Sequence, residues 1–297
     1  MKTPRTLAAG IAFILIAAVA HADLYVSDTD NRISKITPGG AVSNFATSGL
    51  TSPQGLAVDA DGNVYVANSN SNSIGKYTPS GTGSVFATSG LSGPYALAFD
   101  SSGNLFAANI ADGTIEKFTP GGVGTLFASS GLQNPSGLAF DGAGNLYATN
   151  GDGTIEKFTP GGAGTLFASG LYGAHGLAFD SGGNLYVANS GDNTIRKFTP
   201  GGVGSVFANS YLNIPIGLAF DNAGDLYAAN YGSDTIVKFT PGGAGSVVAD
   251  GSTGIYRPTY IAFDPASAAP APVPEPATFA TGLLCLAAGI AARRRRG

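Results

Sequence analysis

Apolar and polar positions along this chain alternate in short bursts. The stretch Gly176 to Ala208, GLAFDSGGNLYVANSGDNTIRKFTPGGVGSVFA, holds four runs rich in aromatic and β-branched residues, bounded by Gly, Pro, Asn and Asp. That is the pattern of strands separated by turns, and no part of it carries a helical period. It predicts strand a over Leu177 to Phe179, strand b over Leu185 to Ala188, strand c over Thr194 to Phe198 and strand d over Ser205 to Ala208. Asp180-Ser-Gly-Gly-Asn184 reads as a tight a–b connection, and Thr199-Pro-Gly-Gly202 puts Pro and Gly where a type II turn requires them.

The unit recurs. Its strand a motif starts at Leu56, Leu97, Leu138, Leu177, Leu218 and Ile261, at spacings of 41, 41, 39, 41 and 43 residues, a period that means a propeller or a solenoid. The first copy begins at strand b (Leu24 to Val26) and the last stops after strand a (Ile261 to Phe263), so each end supplies what the other lacks. A closed ring removes the free edges of an open sheet. The expectation is an all-β, six-bladed β-propeller with four antiparallel strands per blade, closed by pairing of the C-terminal strand a with the N-terminal strands b–d.

The wording P-x-G-L-A-F-D, G-N-L-Y-V-A-N and T-I-x-K-F-T-P-G-G resembles the NHL repeat from Asp23 to Asp264, and the lack of Trp disfavours a WD40 repeat. The resemblance implies a six-bladed propeller, a fold that serves protein binding, nucleic-acid binding, lactone hydrolysis and lyase chemistry alike. It therefore leaves function to the site.

Composition narrows the classes. With 45 Gly, 17 Phe and 12 Tyr in 297 residues, one propeller uses nearly the whole chain. The single Cys285 lies outside residues 23–264, so the propeller has neither a disulfide nor a Cys metal site. The formal charge of -4 hides an acidic body: residues 23–264 carry 9 Lys and Arg against 18 Asp and Glu. Such a body is a poor partner for phosphate backbones, and no nucleic-acid ligand is expected.

The two ends read differently. Residues 1–22 have Lys2 and Arg5, an apolar run from Leu7 to Val19 and then Ala20-His21-Ala22, the order of a secretory signal peptide. Residues 265–272 form a Pro/Ala linker. In residues 273–297, Val273-Pro274-Glu275-Pro276 precedes an apolar run from Ala277 to Ala292 and Arg293 to Arg296, which resembles the PEP-CTERM sorting signal of Gram-negative bacteria that make exopolysaccharide. The apolar run would span roughly 24 Å at 1.5 Å per residue, short of the ~30 Å hydrocarbon core, and the Arg cluster would stay cytoplasmic. The resemblance implies a short transmembrane segment, transient membrane anchoring, processing by an exosortase-type enzyme, and export to the envelope or extracellular matrix.

Candidate chemistry should appear where the repeat is broken. Asp59, Asp100, Asp141, Asp180, Asp221 and Asp264 close each strand a, and Lys35, Lys76, Lys117, Lys157, Lys197 and Lys238 recur in strand c. Recurrence makes them structural, as turn acceptors and blade-to-blade partners. Strand b ends in Asp28, Asn68, Asn109, Asn150, Asn189 and Asn230, a set that either fixes its own turns or forms a polar collar for a sugar or a channel divalent cation. The d–a connections vary most and carry Gln54, Tyr95, Ser136, His175, Ile216 and Thr259 toward one place, as a ligand-binding face would. His175 is the one weak catalytic candidate, a general base that would need a carboxylate such as Asp112, Asp192 or Asp234.

The enzymatic relatives can be compared residue by residue. Gluconolactonase-type propellers use a Glu, an Asn and an Asp around a channel metal, whereas Glu116 and Glu156 lie here in strand c. Streptogramin-inactivating lyase propellers carry a Trp-Phe-Thr-Glu signature absent from this chain, and zinc lyases of the amidating type need several channel His residues. The expected function is a binding or scaffold module for a protein or polysaccharide ligand, without a predicted cofactor or metal. The alternative is a metal-dependent hydrolase or lyase.

Overall fold

The structure is a computed structural model that describes residues 22–265. The chain begins with β1 (Leu24–Asp28), β2 (Arg32–Ile36) and β3 (Val42–Ala46). Blade 1 follows as β4 (Pro53–Val58), β5 (Val64–Asn68), β6 (Ser73–Tyr77) and β7 (Gly83–Ala87). Blade 2 is β8 (Pro94–Phe99), β9 (Leu105–Asn109), β10 (Thr114–Phe118) and β11 (Gly124–Ala128), and blade 3 is β12 (Gly137–Phe140), β13 (Leu146–Thr149), β14 (Ile155–Phe158) and β15 (Gly164–Ala168). Blade 4 is β16 (Ala174–Phe179), β17 (Leu185–Asn189), β18 (Thr194–Phe198) and β19 (Gly204–Ala208). Blade 5 is β20 (Pro215–Phe220), β21 (Leu226–Asn230), β22 (Thr235–Phe239) and β23 (Gly245–Ala249), and β24 (Pro258–Phe263) joins β1–β3 as blade 6.

The closure has the expected register. Phe263, Ala262 and Ile261 face Leu24, Tyr25 and Val26, and the Asp264 amide donates to the Asp23 carbonyl at 2.9 Å. In blade 1 the corresponding bond, Asp59 amide to Asn63 carbonyl, closes the a–b turn. The two ends of the described chain therefore stand side by side where the other blades have a turn.

The core sits between blades. Each of six apolar clusters joins neighbouring sheets; that of blades 1 and 2 includes Tyr65, Ile74, Leu97, Leu105 and Phe118. A strand b aromatic is the centre of each contact: the Tyr65 ring meets Phe86 of its own blade and Phe99 of the next edge-on, at centroid distances of 5.0 and 5.1 Å. Such pairs contribute about 0.5–1.5 kcal/mol each beyond area burial. Innermost strands approach so closely that a Cβ on Gly55 would lie 2.6 Å from the Tyr95 carbonyl oxygen, and one on Gly217 would lie 2.7 Å from that of Thr259. Glycine there permits the ring to close.

Two expectations change. Strand a starts earlier than its apolar triplet, at Pro53, Pro94, Ala174, Pro215 and Pro258, because Pro is tolerated as the first residue of a strand. Gln54, Tyr95, His175, Ile216 and Thr259 thus lie in the innermost strands and not in loops, while Ser136 immediately precedes β12. The recurrent Lys and Asp of blades 1–5 also form their ion pairs within a blade, as in Lys76–Asp59 at 3.8 Å and Lys197–Asp180 at 3.5 Å, where pairing between blades was expected. Lys76, Lys117, Lys157, Lys197 and Lys238 each continue over the strand b ring of their own blade, 5.1 Å from the Tyr65 centroid for Lys76.

Candidate binding face and channel mouth

The collar residues are buried. Asn68, Asn109, Asn150, Asn189, Asn230 and Asp28 are at most 2% exposed. Asn150 shows their work: its Oδ1 accepts from the Gln133 amide at 3.1 Å, and its Nδ2 donates to the Gly131 carbonyl at 2.9 Å and to Thr154 Oγ1 at 3.0 Å. Asn68, Asn109, Asn189 and Asn230 accept from the amides of Thr51, Ser92, Tyr172 and Asn213 in the same way. Each carboxamide pins the d–a connection that enters its blade. In blade 6 the pair is Asp28 and Arg32: Arg32 Nε donates to Asp28 Oδ2 at 2.8 Å and its Nη2 reaches the Gly254 carbonyl at 2.7 Å. Burial pushes the Asp28 carboxyl above its ordinary range, against the pull of the Arg32 guanidinium.

The channel strands bring together the other set. Tyr95 stacks on His175 with centroids 6.3 Å apart and meets Tyr260 edge-on at 5.8 Å. Tyr260 stands where other blades have Gly55, Ala96, Gly137, Gly176 and Gly217, and from blade 6 its hydroxyl donates to the Ser136 carbonyl of blade 3, across the ring. Ile216 and Tyr260 are buried in one cluster, with Tyr95 and Tyr231 packed against it. Thr259 is 2% and Ser136 3% exposed. Thr259 shares a 2.9 Å hydrogen bond with Ser27 Oγ, which also donates to the Gln54 carbonyl at 2.7 Å. Ser136 donates to the Ala174 carbonyl at 3.0 Å, and Thr149 donates to that of His175 at 2.8 Å. Side chains of blades 3 and 6 thus stitch the innermost strands together.

Two polar atoms in this region are buried without a hydrogen bond, His175 Nδ1 and Gln54 Oε1. Burial lowers the His175 pKa from 6.5, so the ring is neutral at neutral pH. The carboxylates considered as its partners are engaged elsewhere: Asp192 by Asn189 Nδ2 at 2.9 Å, Asp112 by Thr114 Oγ1 at 2.8 Å, and Asp234 by the Arg257 amide of the next connection at 2.7 Å. Glu116 and Glu156 lie on β10 and β14, their carboxyls pushed up by burial. Among the described residues no three His, Cys, Asp or Glu side chains come together as a metal site would require.

Sequence reasoning missed the cross-ring role of Tyr260 and did not single out Ser27 or Thr149. The signal was available in each case as a departure from the repeat: Tyr for Gly in strand a, and a hydroxyl where strand b of the other blades has Ala67, Ala108, Ala188 and Ala229.

On the loop face, exposed aromatics gather on one side. Tyr172, Tyr211 and Tyr256 are 68%, 59% and 42% exposed, and they stand in the connections leading to blades 4, 5 and 6. The connections to blades 1–3 hold no aromatic residue between Thr47 and Ser52, Thr88 and Gly93, or Ser129 and Asn134. The opposite face repeats itself: a cavity of ≈ 640 Å³ between blades 4 and 5, lined by Asp180, Tyr186, Lys197 and Phe220, has a counterpart of ≈ 380 Å³ between blades 1 and 2, lined by Asp59, Tyr65, Lys76 and Phe99.

The sorting motif Val273, Pro274, Glu275, Pro276, the Ala277 to Ala292 run and the signal peptide lie outside the described residues. Among the described residues no helix is long and apolar enough to cross a membrane. A PEP-CTERM protein-sorting motif matches residues 272–296, which marks the chain for export and processing by an exosortase.

No match is found among curated proteins. Among solved structures, a nidogen/laminin complex chain superposes with a TM-score of 0.74 at 20% identity, covering 82% of this chain and 99% of that one. A catalytically inactive virginiamycin B lyase from Staphylococcus aureus with quinupristin gives 0.64 at 18% identity, covering 84% and 94%, and a streptogramin B lyase gives 0.60 at 20%, covering 81% and 80%. These likenesses concern the fold. The profile of the virginiamycin B lyase family matches residues 5–239, and the chain is a member of that family.

Proposed function

We propose that the chain is an exported binding or scaffold module of the cell envelope or of an exopolysaccharide matrix, transiently anchored in the membrane through its C-terminal segment and recognising its partner through the loop face. One observation carries this reading: departures from the repeat are exposed on that face, whereas the channel hydroxyls of Ser27, Ser136, Thr149 and Thr259 are used to hold the ring together. Both ends of the propeller leave at the turn face, beside the Asp264–Asp23 hydrogen bond, so a tether there turns the loop face outward. The test is fractionation of cells expressing the chain with loop-face or turn-face substitutions. Retention in the envelope or matrix fraction should fall with Tyr172→Ser plus Tyr256→Ser and persist with Asp61→Ser plus Ser101→Ala; equal retention throughout would overturn the reading.

A second reading, a metal-dependent hydrolase or lyase, is supported by family membership and by the unpartnered Nδ1 of His175. Elemental analysis of the purified chain separates the two. One firmly held divalent ion, with turnover of a streptogramin B or a lactone that His175→Ala abolishes, would put the enzyme first.

A further inference from the structure

One position of strand c breaks the repeat while its neighbours keep it. Between the recurrent Ile and Lys stand Ser34, Gly75, Glu116, Glu156, Arg196 and Val237. On β10 and β11 Glu116 lies directly opposite Leu126, and on β18 and β19 Arg196 lies directly opposite Val206. Residues so paired share one side of the sheet, so each charge sits beside an aliphatic side chain that is 61% exposed at Leu126 and 54% at Val206. Blades 2 and 4 share a second departure. Their c–d turns end in the exposed Val123 and Val203, where the other blades have Ala41, Thr82, Ala163 and Ala244. The outer rims of blades 2 and 4 thus present the same aliphatic pair beside opposite charges.

Both charges lack a partner within the chain. Of the nine Lys and Arg in residues 23–264, seven form ion pairs with Asp side chains. Arg257 is held instead against the rings of Tyr231 and Tyr256. Arg196 reaches the Phe198 ring of its own strand, 5.9 Å from the centroid, and its Nε is buried without an acceptor. Glu116 is its counterpart: it is 9% exposed, and its carboxyl makes no hydrogen bond or ion pair among the described residues. Burial and the nearby Asp112 push that carboxyl above its ordinary range. Charged groups so placed are costly until an opposite charge reaches them. Blade 3 stands between the two, so they do not meet within one ring.

We infer that the rim of blade 4 in one copy of the chain docks against the rim of blade 2 in a second copy, setting Arg196 of the first against Glu116 of the second and Val203 and Val206 against Val123 and Leu126. Charge decides the occupant. Two acidic bodies repel each other at their Asp-bearing faces, but from Pro120 to Ala128 and from Pro200 to Ala208 the outer rims carry no charge. There the aliphatic pairs can meet, and Arg suits such a contact because its guanidinium is weakly hydrated and pairs with a carboxylate in a fixed geometry. The contact joins two different patches, so every added copy offers a fresh blade 2 and a fresh blade 4, and the copies assemble head to tail into a file or a ring. The rim belongs to neither face of the propeller, so this assembly is independent of what the loop face recognises.

The experiment is sedimentation velocity of the purified chain from about 10 µM to 1 mM, at low and high salt. The average mass should rise with concentration, and more steeply at low salt. Glu116→Arg and Arg196→Glu should each weaken association at least about tenfold. An equimolar mixture of the two should restore it, because each supplies the charge that the other has lost, and the chain carrying both substitutions should associate like the native one. Glu116→Gln keeps the shape of the side chain and should weaken association about threefold, which preserves the test if the larger Arg disturbs β10. A chain that stays monomeric throughout overturns the inference. So does association that both reversals leave intact, which would place the contact on another surface, or a loss in both that neither the mixture nor the double substitution restores.

Discussion

The two faces of the propeller are built from the same repeat and differ in what they keep constant. On the turn face blades 1–5 each end strand a in an Asp whose carboxylate organises the turn. Asp141 Oδ1 accepts from the amides of Ala143 and Asn145 at 3.0 and 2.8 Å, and Lys157 sits 3.7 Å from its Oδ2. On the loop face the constant element is hidden, an Asn that grips the incoming connection, and the exposed positions change from blade to blade. A repeat protein can vary one face because buried carboxamides have taken over the structural duty that would otherwise fix the loops.

That contrast can be broken by substitution. The largest effect is expected at the hidden residue: Asn150→Ala leaves the Gln133 amide and the Gly131 carbonyl without their partner and should cost about 2–3 kcal/mol in a denaturant titration. Asp141→Ala on the turn face should cost about 1–2 kcal/mol by the same measurement. The Asp141 case has a pH signature. Burial works to raise its pKa, but hydrogen bonds from the Asn145 side chain and from the Asn145 and Ala143 amides hold it below 3.8, and Asp100 and Asp180 behave alike. Depressed carboxylates contribute stability that is present above pH 3.8 and lost as pH falls through their folded values, so acid unfolding of Asp141→Ala should be less steep.

His175 sharpens the comparison from inside the channel. A base with a folded pKa lowered by burial contributes fully above 6.5 and loses that contribution as pH falls below it, since the unfolded chain takes the proton first. Melting temperature should therefore decline as pH falls below 6.5 in the native chain and decline less in His175→Gln. The smallest effects belong to exposed groups. Lys157→Ala should cost no more than about 0.5 kcal/mol, its ammonium being a third exposed, and Tyr172→Ser should stay within about 0.5 kcal/mol. A large loss at Tyr172 would mean that the variable face is structural after all.

Much of this was legible in the chain. The spacing of the strand a motif and the offset between the first and last copies give six blades and the Leu24–Phe263 closure, because both depend on periodic burial. The start of strand a was not, since Pro53, Pro94 and Pro215 look like turn residues and nothing local says that they open a strand. The channel interior was hidden for a different reason. Whether Tyr260 fills space or offers a hydroxyl depends on Ser136, 124 residues away. Likewise a collar of Asn side chains reads as a ligand site until the amides that occupy it are seen.

The seam between β1 and β24 sets how the molecule bears force. A pull on a C-terminal tether enters the ring at Phe263, beside the start of β1, and loads the pairs Leu24–Phe263, Tyr25–Ala262 and Val26–Ile261 one after another. Bonds loaded in turn part like a zipper, at lower force than bonds sheared together. The other blades have covalent a–b hairpins where this one has two strands that no turn joins, so blade 6 is the ring's mechanical fuse, and resistance to tension on a tether is set by its few bonds.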